Sequence, residues 1–400
     1  MPGGREREVG ERTVVIATDS FKGSIGAAAA ADALREGWRA ARPGDLVVCM
    51  PMADGGEGTL DAVARAVPAA RRMPVAVRGP AGSEVQASWL WVPGGTAVVE
   101  LANTSGIEQL RGRLRPLDAD TFGLGEAIAA ALRHGATRVV VGLGSSASTD
   151  GGVGMLTALG ARFTDATGRP IRPGGRGLGA LAAADLSGLA ALPRGGVLVL
   201  SDVPNPLFGP DGAAAIFAPQ KGATAVDVAT LDAGLVRLAA VLGGARGAAA
   251  AAADPASPGA GAAGGTGYGL LAWGAALRPG APAVAELLGL AEAVAGASIV
   301  ITGEGSFDAQ SATGKVPALV AALAAEAHVP AALVAGRIAA AADLGGFAHA
   351  ESLTALAGGP EAALADPARW LRRAGAALAR AAFGEAAAGP TRDAAPPPRG

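Results

Sequence analysis

The chain has 400 residues, 50% of them hydrophobic, with 33 basic and 35 acidic side chains for a formal charge of -2. That length supplies material for roughly two or three domains, and the near-neutral balance offers no basic surface for nucleic acid or an anionic membrane. A single cysteine, Cys49, excludes an internal disulfide framework, and no apolar run reaches the roughly twenty residues of a membrane span, so a cytoplasmic protein is expected.

Residues 1–12 are charged and without period, and read as a mobile leader. TVVIAT (13–18) is the first strand, followed by the loop DSFKGS (19–24) and an alanine-rich helix over 25–42 with Ser24 placed as its N-cap. A second unit repeats the pattern with a strand over 46–50, the loop PMADGGEG (51–58) carrying Asp54 and Glu57, and a helix over 59–66. Turn signals GPAGS and PGG then separate segments 74–78, 85–92 and 96–101, which predicts antiparallel strands and the start of a different domain.

That domain continues through a helix over about 121–133 into VVVGLGSSASTDGGVG (139–154), where a β-branched strand stops at glycines, hydroxyls and Asp150. Glycine lets backbone N–H groups close on an anion, so Gly144, Ser145 and Ser146 suit a phosphate or carboxylate, and Asp150 suits a metal ion or a hydroxyl. A hairpin around 161–171, a strand over 196–200 running into SDVPNP, and a helix over 226–242 follow. Residues 243–265 are so rich in alanine and glycine that a disordered or lid-like loop is expected. The first pattern returns with a strand at ASIVIT (297–302), the loop GEGSFDAQSATGK (303–315) and a helix over 316–327. Segments 330–335 and 352–356 read as further strands, and 360–382 as closing helix. The whole predicts a two-domain α/β protein. Residues 1–70 and 290–384 form a flavodoxin-like, doubly wound parallel sheet; 71–289 form an inserted mixed-sheet α/β domain; 1–12 and 385–400 are disordered tails.

Lysine is scarce: only Lys22, Lys221 and Lys315 occur, each beside glycine in a loop. A compact ammonium on a flexible stem can follow a moving phosphoryl group, and a planar guanidinium does not replace it freely. Ligands of open α/β sheets gather outside the carboxyl ends of the strands, where these loops emerge. There they would present the three lysines, the acids Asp19, Asp54, Asp150, Asp202, Glu304 and Asp308, and many glycine N–H groups. That inventory fits phosphoryl transfer, with carboxylates for Mg²⁺ and one to take a proton from the attacking hydroxyl. His134, His328 and His349 are not spaced as a zinc pair, and neither a P-loop nor a GxGxxG at the first strand is present.

DSFKGS, PMADGGEGT, GLGSSASTDGGVGML, DVPNPLFGPDGAA, PQKGAT, PGAGAAGGTG and ITGEGSFDAQSATGK, in this order over nearly the whole chain, resemble the bacterial glycerate kinase type 1 family. The resemblance implies ATP- and Mg²⁺-dependent phosphorylation of D-glycerate, on the 2-hydroxyl in many members, in a cleft between two domains. Placed on the matching positions, it implies catalytic roles for Lys22, Asp150, Asp202, Lys221 and Lys315, with Asp150 and Asp202 also candidate metal ligands. Phosphate contacts fall to Ser24, Gly144, Ser145, Ser146, Gly264 and Gly265, and substrate contacts to Asp19, Asp54, Glu57, Asn103, Glu304 and Asp308. The chain departs from the family pattern at Ser145 (usually glycine), Thr149 (asparagine), Pro204 (aspartate), Ser306 (arginine) and Thr313 (histidine). These departures leave two alternatives beside the kinase: a glycerate or nucleotide sensor of weak activity, and a kinase of a related hydroxy acid.

Overall fold

A computed structural model describes residues 12–308 and 315–383. Its strands, in chain order, are β1 (Thr13–Thr18), β2 (Leu46–Cys49), β3 (Arg71–Arg78), β4 (Glu84–Val92), β5 (Thr96–Glu100), β6 (Arg138–Gly142), β7 (Arg162–Thr164), β8 (Ala183–Asp185), β9 (Val197–Leu200), β10 (Ala276–Arg278), β11 (Ile299–Phe307), β12 (Ala331–Ile338) and β13 (His349–Ser352). The fold is α/β with two compact units, one drawn from Met1–Cys49, Glu292–Thr313 and Val320–Gly400, the other from Met50–Ala291 and Gly314–Leu319.

The first unit holds a five-stranded sheet in the order β13-β12-β11-β1-β2, every pair parallel. Counted within the unit, that is the doubly wound order of flavodoxin-like folds, with strand order reversing between β1 and β11. Val14, Val15, Ile16 and Ala17 are fully buried, as a strand covered on both faces must be. The helix Ala27–Ala41 buries Ala30, Ala31, Leu34 and Trp38 on one stripe. It starts at Gly26 and not at Ser24, because residues 21–25 close a tight turn in which Phe21 and Ile25 exchange backbone hydrogen bonds of 2.9 and 3.1 Å. Cys49 is buried, its thiol aimed at the Ala31 carbonyl 3.5 Å away. Near the end of the chain two expectations change. Residues 353–357 are helix and not strand, with Ser352 capping it through the Ala355 N–H. Helix 360–382 is interrupted at Asp366, where Pro367 cannot continue the hydrogen-bond ladder and instead opens the helix Pro367–Phe383.

The second unit holds a mixed sheet in the order β10-β9-β6-β5-β4-β3, in which β10, β9, β6 and β5 are parallel and β5, β4 and β3 form an antiparallel meander. Residues 50–70 group with this unit, although their strand-loop-helix pattern reads as part of the parallel sheet. The reason is a carboxylate: Glu100, at the end of β5, accepts from Gly58 N at 3.2 Å and Leu60 N at 2.9 Å, holding the first turn of helix Thr59–Ala66. β7 turns back on residues 169–171 through Asp165 N to Arg169 O (2.9 Å) and Ile171 N to Phe163 O (3.1 Å), with a Thr164–Pro170 bridge between them, and its regular strand partner is β8. Residues 243–265 are not a lid: they contain the helix Ala248–Ala252 and enter the element Ala262–Trp273, whose Gly264 and Gly265 are buried. The tails at 1–11 and 384–400 lie outside the described residues.

The helices Ala27–Ala41 and Pro367–Phe383 meet at paired glycines: a side chain on Gly37 would strike the Arg372 carbonyl, and one on Gly375 the Leu34 carbonyl. Small residues let the two backbones close, and the Trp38 and Leu371 side chains bury against the same core. Gly375→Leu is therefore expected to lower unfolding free energy by about 2 to 4 kcal/mol in urea titration, by forcing the helices apart.

Candidate active site

In the second unit, β5, β6 and β9 end side by side, and the polypeptide after each stays at that edge. Residues 51–58 lie across them: Gly144 N donates to Gly55 O at 3.1 Å, and Gly55 sits against Leu200. The centre is the loop at 143–152. Ser146 bridges to Gly106, Ala147 N donates to Ser105 O at 3.1 Å, and Ile107 N donates to Ser145 O at 2.9 Å, so the loop is pinned along one side.

It is also held from beneath. The Lys221 ammonium donates to Ser146 Oγ at 2.7 Å and to the Ser148 carbonyl at 2.5 Å. Asp150 Oδ2 accepts from Thr121 N (3.0 Å), Thr121 Oγ1 (2.8 Å) and Gly154 N (3.1 Å), while Oδ1 accepts from Gly152 N (3.2 Å). Asp150 is 0% exposed and Lys221 2%. Asp150 has its oxygens engaged within the fold and reaches no solvent, and it anchors the loop and the helix Val153–Ala158. The Lys221 ammonium lies inside the protein and supports the loop from there.

Burial shifts both groups toward neutrality. It pushes the Lys221 amine down from 10.5 to about 7, with the Asp150 charge acting in the opposite direction. It raises Asp150, helped by Asp120 and opposed by the Thr121 and Gly154 donors. Glu100 is raised too, by burial first, against the hydrogen bonds from Leu60 and Gly58. Thr121, Glu100 and Ser148 carry this bracing and were not singled out in the sequence, because a threonine before a helix and an acid ending a strand are too common to signal anything alone.

Gly264 and Gly265 also act from below: both have positive φ, Gly151 N donates to Gly264 O at 3.0 Å, and a side chain on Gly264 would strike the Ser148 carbonyl. Both are buried and pack closely against the loop. Ser145, exposed at the tip, has φ +58°, a conformation that suits the glycine usual there. The buried hydroxyls of Ser148 and Thr149 have no hydrogen-bond partner among the described residues.

Around the loop, Asp54 is exposed with Oδ1 accepting from Gly56 N at 2.8 Å, and Glu57 is exposed. Asn103 is half-buried and its Oδ1 accepts from Ser88 N at 3.3 Å, tying the turn after β5 to β4. Asp202 is exposed at the end of β9, with Oδ1 accepting from Gly280 N at 2.7 Å. Partial withdrawal from water raises its carboxyl above the ordinary range, Gly280 N–H opposes this, and the Asp54 charge adds to it. Two carboxylates that repel one another beside an exposed loop suit a bound cation. Among the described residues no three His, Cys, Asp or Glu side chains cluster as a ready-made metal site.

In the first unit, Lys22 and Ser24 are exposed in the turn after β1, and Asp19 Oδ1 accepts from Ser20 N at 2.6 Å. Glu304 lies on β11, which runs to Phe307 through residues expected as loop, and is 7% exposed; Asp308 follows it, half-buried. Lys22 lies against Gly305, where an added side chain would come within 3.1 Å of the Lys22 nitrogen. Lys315 is exposed just before helix Val316–Glu326, and Thr313 lies outside the described residues.

A flavodoxin-like parallel sheet and a mixed sheet that delivers a braced, glycine-rich loop define an α/β protein suited to anionic small molecules. The Glycerate kinase family model matches residues 14–382, and the chain belongs to that family. It is 42% identical to the glycerate 2-kinase of Escherichia coli K12 and 40% identical to the glycerate kinase of Bacillus subtilis 168, each over 81% of this chain and 85% of the relative. A crystal structure from Salmonella typhimurium LT2 assigned as a glycerate kinase 2 superposes with a TM-score of 0.81 at 38% identity, covering 93% of this chain and 98% of that one.

Two measurements follow. Below about pH 7 native and unfolded chains both hold the Lys221 proton, and the cost of burying the charge is undiminished; above it the native chain sheds the proton first. The unfolded state then binds more protons, so stability climbs with pH toward the ordinary lysine value. The unfolding midpoint of the native sequence should therefore rise relative to Lys221→Met between about pH 6 and about pH 9. Ser145→Gly should raise the unfolding free energy by up to about 1 kcal/mol in denaturant titration, through relief of the left-handed backbone.

Proposed function

We propose that this protein transfers the γ-phosphoryl group of ATP to the 2-hydroxyl of D-glycerate. The observation that supports it most is the loop at 144–146, exposed at its Ser145 tip and fixed from below by a buried ammonium and a buried carboxylate, in a chain of the glycerate kinase family. Phosphoryl transfer asks little covalent chemistry of the protein and much positioning and charge stabilisation. A loop locked before the ligand arrives supplies that without reorganising during the reaction.

The N–H groups of Gly144, Ser145 and Ser146 cradle phosphate oxygens on the mixed-sheet unit. Asp202 with Asp54 would hold Mg²⁺, which offsets the negative charge of the phosphates when bound; burial raises the Asp202 carboxyl and the Asp54 charge adds to it, a setting that a cation would relieve. Glu57 and Asn103 lie at the same edge and contact glycerate. In the turn after β1, Lys22 supplies positive charge toward anionic groups and Ser24 a hydroxyl; Lys315, just before helix Val316–Glu326, adds a further positive charge. As the glycerate oxygen bonds to the γ-phosphorus, the bond to the ADP oxygen breaks and the hydroxyl proton is released. The buried thiol of Cys49, turned into the core, accords with a reducing cytoplasm.

An ADP-release assay with D-glycerate and Mg-ATP, with the product read by phosphorus NMR, tests this. Turnover to the 2-phosphate is expected. Tight glycerate binding by folded protein without turnover would mean a sensor, and turnover only with another hydroxy acid would mean a different substrate. Asp202→Asn should raise the Mg²⁺ concentration for half-maximal rate and lower kcat by about a hundredfold, with the fold intact by circular dichroism.

A further inference from the structure

Arg337 stands at the carboxyl end of β12, outside every motif considered above. Parallel register places it directly beside Ser306 of β11, and its Nη2 donates to Ser306 Oγ at 3.3 Å. The side chain is exposed, and among the described residues no carboxylate forms an ion pair with it. Ser306 is next to Gly305, at which an added side chain would come within 3.1 Å of the Lys22 backbone nitrogen, so Arg337 shares the edge on which the turn after β1 lies. This edge is where the strand order of the sheet reverses, between β1 and β11, the place at which open parallel sheets bind ligands.

We propose that Arg337 recognises the carboxylate of the hydroxy-acid substrate, steered by Ser306; this rests on the kinase reading above. A guanidinium has five N–H donors in a planar fork. Ser306 takes one of them and fixes the plane, leaving the others for the two oxygens of a carboxylate, which a guanidinium engages with two parallel hydrogen bonds. Lys22, an exposed point charge on the neighbouring turn, has no such fork and suits a phosphoryl oxygen. The same geometry accounts for the serine at 306. An arginine there and one at 337 would crowd like charges on adjacent strands, and one guanidinium at this place on the edge is enough.

The test compares steady-state kinetics of the native sequence, Arg337→Ala, Arg337→Lys and the double exchange Ser306→Arg with Arg337→Ser. Arg337→Ala is expected to raise the glycerate KM by about 10- to 100-fold with kcat and the ATP KM nearly unchanged, the pattern of a lost binding contact. Lysine at 337 should recover part of the loss, and the exchange most of it, because it returns a guanidinium to the neighbouring position. An unchanged glycerate KM in Arg337→Ala, or a rise in the ATP KM instead, would overturn the assignment. Should the native protein not turn over glycerate, the kinase reading is what fails, and calorimetry with D-glycerate alone decides this one. Binding lost in Arg337→Ala but kept in the exchange supports it; equal binding by all, or none by any, overturns it.

Discussion

A lysine and an aspartate buried beneath one loop set the terms for the second unit. Taking charges out of water is expensive, and the cost is tolerated only where geometry compensates it. Here each group is surrounded by donors or acceptors of its opposite kind: Lys221 by a hydroxyl and a carbonyl, Asp150 by three N–H groups and a hydroxyl. Both tie the same segment, 146–154, to elements distant in sequence, through Thr121 on one side and the turn at Lys221 on the other. The result is a rigid platform under an exposed tip. A neutral Lys221 amine still has two donors, so both hydrogen bonds can survive loss of the proton.

This gives a physical reason for one of the three lysines. An arginine at 221 would bring a larger group that cannot shed its proton into a buried position beneath the Ser146 hydroxyl and the Ser148 carbonyl. Glycines packed on the loop from below, and glycines pairing the two helices of the parallel unit, serve the same end of close backbone approach. In a chain with 62 glycines such positions cannot be told from turn glycines by spacing alone.

Much of the fold was legible because its signals are local. The β-branched runs at 13–18 and 139–142 and the amphipathic stripe of Ala27–Ala41 announce themselves, and the flavodoxin-like order follows once the same strand-loop-helix pattern is seen at both ends of the chain. What could not be read depends on contacts far apart in sequence. Glu100 draws residues 58–60 into the mixed-sheet unit, and residues 263–265 are ordered by Ser148 and Gly151, although their composition alone suggests a loose loop. For the candidate site, the position of the loop at 144–146 was visible; the burial of Asp150 and Lys221 was not, because buried and exposed charged groups use the same residue types. Ser306 and Arg337 are separated along the chain and meet only through strand register.

The three lysines also make the central claim directly measurable, since side-chain nitrogen NMR of lysine-labelled protein should show three resonances, assignable by replacing Lys22 and Lys315 in turn. The account predicts that the Lys221 amine titrates near 7 and exchanges its protons slowly. A Lys221 amine titrating in the ordinary lysine range and in rapid exchange would contradict it, for the amine would then stand in water and not beneath the loop.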